Sequence, residues 1–508
     1  MKKQSRASVI LRNTLSNYMQ YVVKVGISLI SIPIIIRLMG KELYGLWELV
    51  MSMIGFIGLL DFGFATSVVK YVAESKGQKD SKRMNLIVST VFYAYLFLAA
   101  AVVILSSGFA FLYSDLFHLP DTVTDVAPWV MILIGIRTAL NFPFSVYRGV
   151  LFGHQRIALL NAIEIVMNIL EATASILVLY LGFGIIGFAC AYLASYLLKA
   201  LTRMYFSYRE TENLHVSVKL FQKDKLREVT SVSLYLFIIL ASGTIAAQVD
   251  RIVIKLFAAL EAVAVYSVAA KMSNYVFRLA KQFINALTPL IAELKGAGET
   301  KNIQRVMLEG TKLSLIIVSP LAMSLFFFSK DLMVAWIGPD FEESGVVLSI
   351  LLLAIFPTVI QANAGNILAM TDNHRFAAWT SLGSAILNVI MSVILIQFLG
   401  LPGVALGTLI SAFVMQTILV LYTCRVIPID ITKLLIRSIL PIIPPMIPAF
   451  LIMFIIRVYI HPTNLILVGI ESGIGAAVYL IFAYFLSFDQ KEKNLYRGKV
   501  LKFIKRKK

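Results

Sequence analysis

The chain has 508 residues, of which 59% are hydrophobic and only 15% are charged, and its mean hydropathy is +0.84. This composition excludes an ordinary soluble domain and predicts a polytopic helical membrane protein. The formal net charge of +18 would suggest a nucleic-acid partner in a soluble protein. Here most Lys and Arg residues fall in short segments between apolar runs. Their positions therefore indicate membrane topology, and we expect no nucleic-acid partner.

Apolar runs of about 20 residues, separated by polar breaks, predict an all-α fold with about fourteen transmembrane helices. Pro441, Pro444, Pro445 and Pro448 should kink the thirteenth helix. In chain order, the predicted spans are 17–37, 46–69, 85–111, 126–147, 158–181, 185–206, 230–254, 262–292, 307–329, 345–369, 376–398, 403–424, 438–458 and 465–487.

The distribution of basic residues predicts the orientation of these spans. If both termini are cytoplasmic, cytoplasmic segments hold 34 of the 46 Lys and Arg residues and external segments hold five. An excess of Lys and Arg in cytoplasmic loops is the usual topological signal. We therefore expect a multi-pass membrane protein with both termini in the cytoplasm.

A weak internal repeat relates two parts of the chain at an offset of 219 residues. Residues 73–77 (Ala-Glu-Ser-Lys-Gly) match residues 292–296 (Ala-Glu-Leu-Lys-Gly), and Leu181-Gly182 resembles Leu399-Gly400 after a small shift. The copies lie six spans apart, so they share an orientation and form parallel repeats with a substrate site between them. The predicted domains are an N-terminal six-helix half (1–206), a basic cytoplasmic linker (207–229), a C-terminal six-helix half (230–424), two additional transmembrane helices (425–487) and a basic cytoplasmic tail (488–508).

The eighth predicted span carries a polar stripe. Its members recur at steps of three and four residues, which places them on one face of a helix. A cation at the centre of a membrane helix costs roughly 2.5–3.5 kcal/mol on insertion scales, so the stripe must face water, an anion or buried carboxylates. It consists of Lys271, Asn274, Arg278, Lys281 and Asn285.

Other charged residues also fall inside predicted spans. Lys24, Arg137 and Arg251 are cations that could face the same substrate. The main acids are Asp61, Glu164, Glu171 and Asp250. They could couple transport to an ion, or they could pair with neighbouring cations; Lys24 and the stripe cations are candidates for Glu164 and Glu171. The polar uncharged residues in these spans could equally serve as contacts between helices.

The sequence gives no sign of catalytic chemistry. It contains no Walker motif, zinc-ligand cluster, nucleophile elbow or glycine-rich phosphate loop. The longest loop, around 203–229, is short for a domain that would bind an acceptor and its catalytic carboxylates. We therefore expect a protein that is not an enzyme.

Five short motifs carry a family likeness. They are Leu43-Tyr44-Gly45-Leu46-Trp47, Leu60-Asp61-Phe62-Gly63-Phe64, Lys70-Tyr71-Val72-Ala73-Glu74, Gln248-Val249-Asp250-Arg251 and Val265-Tyr266-Ser267-Val268-Ala269. Together with the two six-helix halves and two extra helices, they resemble the multidrug/oligosaccharidyl-lipid/polysaccharide exporter superfamily. Within it, the chain is similar to bacterial polysaccharide flippases of the O-antigen and capsule repeat-unit type, over essentially its whole length.

The resemblance implies a flippase of the bacterial cytoplasmic (inner) membrane that moves an undecaprenyl-diphosphate-linked oligosaccharide from the inner to the outer leaflet. The two parallel repeats predict alternating access as its mechanism. The resemblance also implies a cationic cavity, which maps onto Lys24, Arg137, Arg251, Lys271, Arg278 and Lys281. The implied partners are the polyprenyl-diphosphate-linked sugar, membrane lipids, polysaccharide polymerase and glycosyltransferases. No cofactor is expected, and a proton gradient, a sodium gradient or the membrane potential would drive transport.

Two other functions stay open on the sequence alone. A cation-coupled multidrug exporter uses a few membrane carboxylates, and Glu164 and Glu171 are compatible with that role. A membrane-embedded polysaccharide polymerase or glycosyltransferase is the second alternative. Within the flippase interpretation, lipid II offers the same diphosphate and is an alternative substrate.

Overall fold

A computed structural model describes residues 6–61, 64–225, 234–371, 373–460, 464–490 and 492–494. These residues form helices, turns and loops, with no strand among them. They cluster into two compact units, Met1–Ala264 and Val265–Lys508. The predicted domain limits, which rest on the internal repeat, stay a prediction.

Unit 1 is built from long helices that run one after another along the chain. A 3₁₀ turn, Gly58–Asp61, follows the second helix. The helices are α1 (Arg6–Met39), α2 (Lys41–Ile57), α3 (Phe64–Gln78), α4 (Ser81–Ala110), α5 (Tyr113–Leu116), α6 (Asp121–Thr124), α7 (Ala127–Gly153), α8 (Ile157–Tyr180), α9 (Gly184–Glu210) and α10 (Leu234–Phe257).

Unit 2 begins inside the first turns of α11 and continues in the same way. The helices are α11 (Leu260–Gly296), α12 (Thr300–Phe327), α13 (Ser329–Trp336), α14 (Glu342–Met370), α15 (His374–Leu399), α16 (Leu401–Val426), α17 (Ile431–Leu434), α18 (Met446–Ile460) and α19 (Leu465–Leu486).

The helices bear out the predicted class of an all-α polytopic membrane protein. Within the described residues, thirteen helical segments are long and apolar enough to cross a membrane. The 37-residue α11, which contains the eighth predicted span, is not among them. Its cationic stripe makes it less apolar than the other spans.

Two predicted spans are broken in the structure. The second, predicted over 46–69, divides into α2, the 3₁₀ turn at Gly58–Asp61 and α3, which begins at Phe64. The thirteenth is kinked as its prolines predict. Between α17 and α18 lie a π-helical turn at Leu435–Ile439 and a 3₁₀ turn at Leu440–Ile442, because proline removes a backbone donor and clashes with the preceding turn.

Glycines let helices approach closely in both units. A Cβ at Gly45 of α2 would overlap the backbone oxygen of Leu260, and one at Gly55 would lie 2.8 Å from the amide nitrogen of Gln248 on α10. In unit 2, a Cβ at Gly407 of α16 would lie 2.7 Å from the backbone nitrogen of Ser392 on α15. Small residues at such contacts are the usual means by which membrane helices pack.

The Leu-Gly pairs of the repeat occupy similar turns. Gly182, between α8 and α9, has a φ of 82°, and Gly400, between α15 and α16, has a φ of 63°. Glycine adopts this left-handed conformation without the steric cost that other residues incur. Each pair therefore allows a very short connection between two antiparallel helices.

The predicted cytoplasmic linker binds along α4 where it is described. The side-chain nitrogen of Asn85 donates to the backbone oxygen of Asn213 at 2.7 Å, and its oxygen accepts from the backbone nitrogen of His215 at 3.0 Å. The hydroxyl of Thr90 accepts from the backbone nitrogen of Gln222 at 3.2 Å. This part of the linker is therefore attached to unit 1 by hydrogen bonds.

Candidate functional site

The polar stripe lies on one side of α11. Asn274, Arg278, Lys281 and Asn285 are exposed and Lys271 is partly exposed, whereas Val276, Ala280 and Ile284 on the opposite side are buried. Among the residues that the structure describes, Arg278 and Lys281 have no ion-pair partner. The role of these five residues in substrate binding stays a prediction.

The buried side of α11 is attached to α14. The hydroxyl of Ser273 donates to the backbone oxygen of Leu351, and the side-chain amide of Asn366 donates to the backbone oxygen of Ile284. Near the start of α11, the hydroxyl of Ser344 donates to the backbone oxygen of Val265 at 2.8 Å. These bonds fix the rotation of α11 about its axis and hold the stripe away from α14.

Arg251 of α10 is paired within unit 1. Its Nε lies 3.6 Å from Oε2 of Glu48, a residue of α2 that is only 4% exposed. Its Nη1 donates to Oε1 of Gln248 at 3.3 Å. The neighbouring Asp250 is buried. Glu48 therefore offsets the charge of a cation that the sequence assigns to substrate binding.

Arg137 of α7 lies against aromatic rings, and no carboxylate of the described residues forms an ion pair with it. Its guanidinium carbon is 3.8 Å from the ring centre of Tyr192 and 5.0 Å from that of Tyr196, both on α9. The Tyr192 ring in turn packs edge-to-face on Trp47 at 5.1 Å. A cation over an aromatic face is stabilised by the ring quadrupole. The packing of Tyr192 on Trp47 also gives a structural role to Trp47, which belongs to the Leu43–Trp47 motif.

Glu164 and Glu171 of α8 form ion pairs with two cations of α9. Arg203 Nη2 contacts Oε1 of Glu164, and Lys199 Nζ lies 3.8 Å from Oε2 of Glu164 and 3.6 Å from Oε2 of Glu171. Lys199 also donates to Oδ1 of Asn168 at 2.9 Å. We call these five residues the α8–α9 charge cluster.

Lys199 and Arg203 lie inside the sixth predicted span (185–206), but the count of basic residues assigned positions from 199 onward to the cytoplasm. Both cations were therefore missed as residues of a site. In the structure α9 continues to Glu210, and Lys199 and Arg203 are each only 6% exposed. A signal was available: Lys199 and Arg203 are four residues apart, and Glu164, Asn168 and Glu171 show the matching helical spacing.

The remaining predicted residues lie in unit 1. Lys24 is exposed on α1. Asp61 ends the 3₁₀ turn after α2, and its Oδ1 accepts a hydrogen bond from the hydroxyl of Tyr95 on α4. Across the described part of the chain, no group of three or more His, Cys, Asp or Glu residues could hold a metal ion.

Comparison with known families gives two matches. The profile of a family described as polysaccharide biosynthesis protein matches residues 10–295, which is more than half of the chain. A second profile, MatE, matches residues 236–394.

Individual proteins are similar to this chain over most of its length. The uncharacterized membrane protein EpsK of Bacillus subtilis is 21% identical over 95% of this chain and 96% of its own. The putative O-antigen transporter of Salmonella typhi is 22% identical over 78% of this chain and 91% of its own. Among solved structures, the lipid II flippase MurJ in an inward closed conformation matches with a TM-score of 0.71 and 16% identity, over 96% of this chain and 99% of that one.

The structural match shows a shared fold, and the profile match shows the family. The chain belongs to the polysaccharide biosynthesis protein family, within the multidrug/oligosaccharidyl-lipid/polysaccharide exporter superfamily.

Proposed function

We propose that this protein is a flippase that moves an undecaprenyl-diphosphate-linked oligosaccharide across the bacterial cytoplasmic membrane by alternating access through a cationic cavity. The observation that carries the proposal is the cationic stripe on α11, in which Arg278 and Lys281 are exposed and Lys271 is partly exposed. The names of two relatives, an O-antigen transporter and a lipid II flippase, support a lipid-linked sugar as the substrate class.

The chemistry of the stripe suits a diphosphate. An Arg guanidinium can donate two parallel hydrogen bonds to a phosphate, whereas a Lys ammonium acts as a compact point charge on a flexible stem. Asn274 and Asn285 add amide groups that can donate to phosphate or sugar oxygens and accept from sugar hydroxyls. A bound diphosphate would offset the cost of keeping these cations at membrane depth.

The membrane potential would drive the head group outward, from the cytoplasmic leaflet to the outer leaflet. A head group with about two negative charges that leaves a negative cell interior gains roughly 4–5 kcal/mol per 100 mV, because each charge contributes about 2.3 kcal/mol. A proton or sodium gradient could add to this. The carboxylates proposed for such coupling, Glu164 and Glu171, would have to release Lys199 or Arg203 when they bind an ion.

The test removes charge from the stripe. We expect Arg278→Ala with Lys281→Ala to abolish most translocation of lipid-linked oligosaccharide by purified protein in proteoliposomes, because two cations without ion-pair partners in the described structure are lost. The exchanged pair Arg278→Lys with Lys281→Arg keeps the charge and should retain much of the activity.

A matched control removes two cations elsewhere. Lys219 and Lys223 are exposed on the linker, and changing both to Ala should leave translocation unchanged. Full translocation by the Arg278→Ala, Lys281→Ala protein would show that the stripe does not bind the substrate.

A cation-coupled multidrug exporter is the second candidate, favoured by the MatE match over residues 236–394. That function needs a carboxylate available to a proton or cation. In this protein Glu164 and Glu171 are ion-paired to α9. Transport of a cationic drug that is driven by an imposed proton or sodium gradient, with no movement of lipid-linked sugar, would favour the exporter.

A further inference from the structure

A second basic site lies in unit 2, and none of the stripe residues of α11 lines it. A cavity of about 880 Å³ opens between the first turns of α12, the broken helix that follows α17, and the segment after α19. Five cations line it: Lys301, Arg305, Lys312, Lys433 and Arg437. Three acids also line it: Glu309, Asp489 and Glu492. The cavity therefore has a surplus of positive charge.

Two of the three acids of this cavity, Glu309 and Glu492, form ion pairs with two of its cations. Arg305 Nε lies 2.5 Å from Oε1 of Glu309, and Lys312 Nζ lies 2.8 Å from Oε2 of Glu492. Glu492 also accepts at 2.9 Å from the backbone nitrogen of Asp489. Within the described residues, Lys301, Lys433 and Arg437 have no ion-pair partner. We call these three cations the cavity triad; an anion that entered the cavity would meet their charge.

The cavity lies at one end of three membrane spans. Two spans, Thr300–Phe327 and Ile431–Tyr459, begin beside it, and Leu465–Leu486 ends there. Apolar side chains that are more than half exposed stand next to the cations: Ile436 at 57%, Leu440 at 56% and Leu486 at 52%. Cations at a membrane boundary above exposed apolar side chains match the two parts of a phospholipid, an anionic head group and its acyl chains.

The break in the thirteenth span shapes this site. The π-helical turn at Leu435–Ile439 leads into Pro441 and Pro444, which cannot donate backbone hydrogen bonds. Neighbouring side chains bind carbonyl oxygens on either side of the cavity: Ser438 donates to Leu308 at 2.8 Å and Ser487 donates to Pro441 at 2.7 Å. The cavity wall is therefore held by hydrogen bonds as well as by packing.

We propose that this cavity binds the head group of an anionic phospholipid of the adjacent leaflet, with Lys301, Lys433 and Arg437 on the phosphate and the acyl chains along Ile436, Leu440 and Leu486. The phosphodiester supplies the anion, and its chains cover apolar side chains that the protein leaves exposed. This site is separate from the proposed transport stripe and does not depend on the substrate that the protein carries.

The test measures retained lipid. The whole protein is purified from membranes containing phosphatidylglycerol and phosphatidylcholine, and native mass spectrometry counts the lipids bound to it. Changing the cavity triad to Ala should weaken phosphatidylglycerol binding on the order of 100-fold, because three cations near one phosphate are lost. The charge-keeping set Lys301→Arg, Lys433→Arg, Arg437→Lys should retain the lipid.

A matched set controls for total charge. Lys82, Lys219 and Lys223 are exposed cations of unit 1, and changing all three to Ala should leave phosphatidylglycerol retention unchanged. Equal retention by the triad variant and this control would overturn the proposal. Two other results would also overturn it, since each assigns the cavity to a different ligand. One is stabilisation of the purified protein against thermal unfolding by inorganic phosphate alone, and the other is preferential retention of a polyprenyl phosphate over phosphatidylglycerol.

Discussion

At the scale of single residues, the charges inside the described spans have different kinds of partner. Arg251 pairs with Glu48, Arg137 lies on the ring of Tyr192, and the α8–α9 charge cluster neutralises itself. The stripe on α11 differs, because Arg278 and Lys281 have no ion-pair partner in the described structure. Residues with such different surroundings should respond differently to the same change in charge.

The α8–α9 charge cluster gives a stability prediction. Replacing Glu164 by Gln leaves the buried Arg203 without its main partner and should lower the free energy of unfolding by about 2–3 kcal/mol. The double variant Glu164→Gln, Arg203→Met should be less destabilised than the single variant, since no unpaired cation remains. Reversible unfolding of the purified protein in mixed micelles measures both values.

A control for this cycle is Glu343→Gln, a change to an exposed acid in the first turn of α14 that has no ion-pair partner among the described residues; it should change the free energy of unfolding by less than about 1 kcal/mol. If Glu164→Gln is as stable as the wild type, the contact between Glu164 and Arg203 contributes nothing. The single variant Arg203→Met completes the cycle. If the double variant loses as much free energy of unfolding as Glu164→Gln and Arg203→Met lose in sum, the two residues act independently.

At the scale of helices, close approach depends on glycine. The Gly45 position of α2 faces the backbone of Leu260, which a side chain cannot displace without moving the start of α11. The sequence shows Gly45 only as one letter of a motif. The structure shows why a side chain does not fit there.

The expected effect of Gly45→Ala is a loss of about 1–3 kcal/mol, the usual range for overpacking. The matched change Gly108→Ala on α4 meets no atom within 4 Å, and it should be neutral or slightly stabilising because alanine favours helix. Thermal unfolding of both variants tests this difference. Equal midpoints for the two variants would show that the approach at Gly45 is loose enough to accept a methyl group.

The sequence predicts most spans, but it does not predict where the helices end or which helices are neighbours. Apolar runs mark the parts of helices that lie in lipid, so the positions of most spans follow directly. They do not mark the extensions, and α1, α3 and α9 therefore reach Arg6, Gln78 and Glu210, well beyond the predicted limits. The partners of Arg251 and Glu164 depend on which spans are neighbours, and spacing within one span carries no information about that.

At the scale of the whole molecule, the basic segments make an orientation testable. The two natural cysteines, Cys190 and Cys424, are first replaced by Ser and Ala. A cysteine at Lys223 of the linker should then stay unlabelled by a membrane-impermeant maleimide in intact cells, whereas one at the exposed Asp125 should be labelled. This follows from the excess of Lys and Arg on the linker side.

Lysis should make the cysteine at position 223 reactive, which serves as the internal control. Labelling of position 223 but not of position 125 in intact cells would show that the orientation is the reverse of the predicted one.

The α8–α9 charge cluster also has a consequence for biosynthesis. Spans enter the membrane in chain order, before most helix packing is complete, so α8 would meet lipid with Glu164 and Glu171 while their partners on α9 are still emerging from the ribosome. Only three residues separate the two helices. We expect α8 and α9 to leave the translocon as one hairpin, in which Lys199 and Arg203 first act as retention signals at the cytoplasmic surface and then become buried partners.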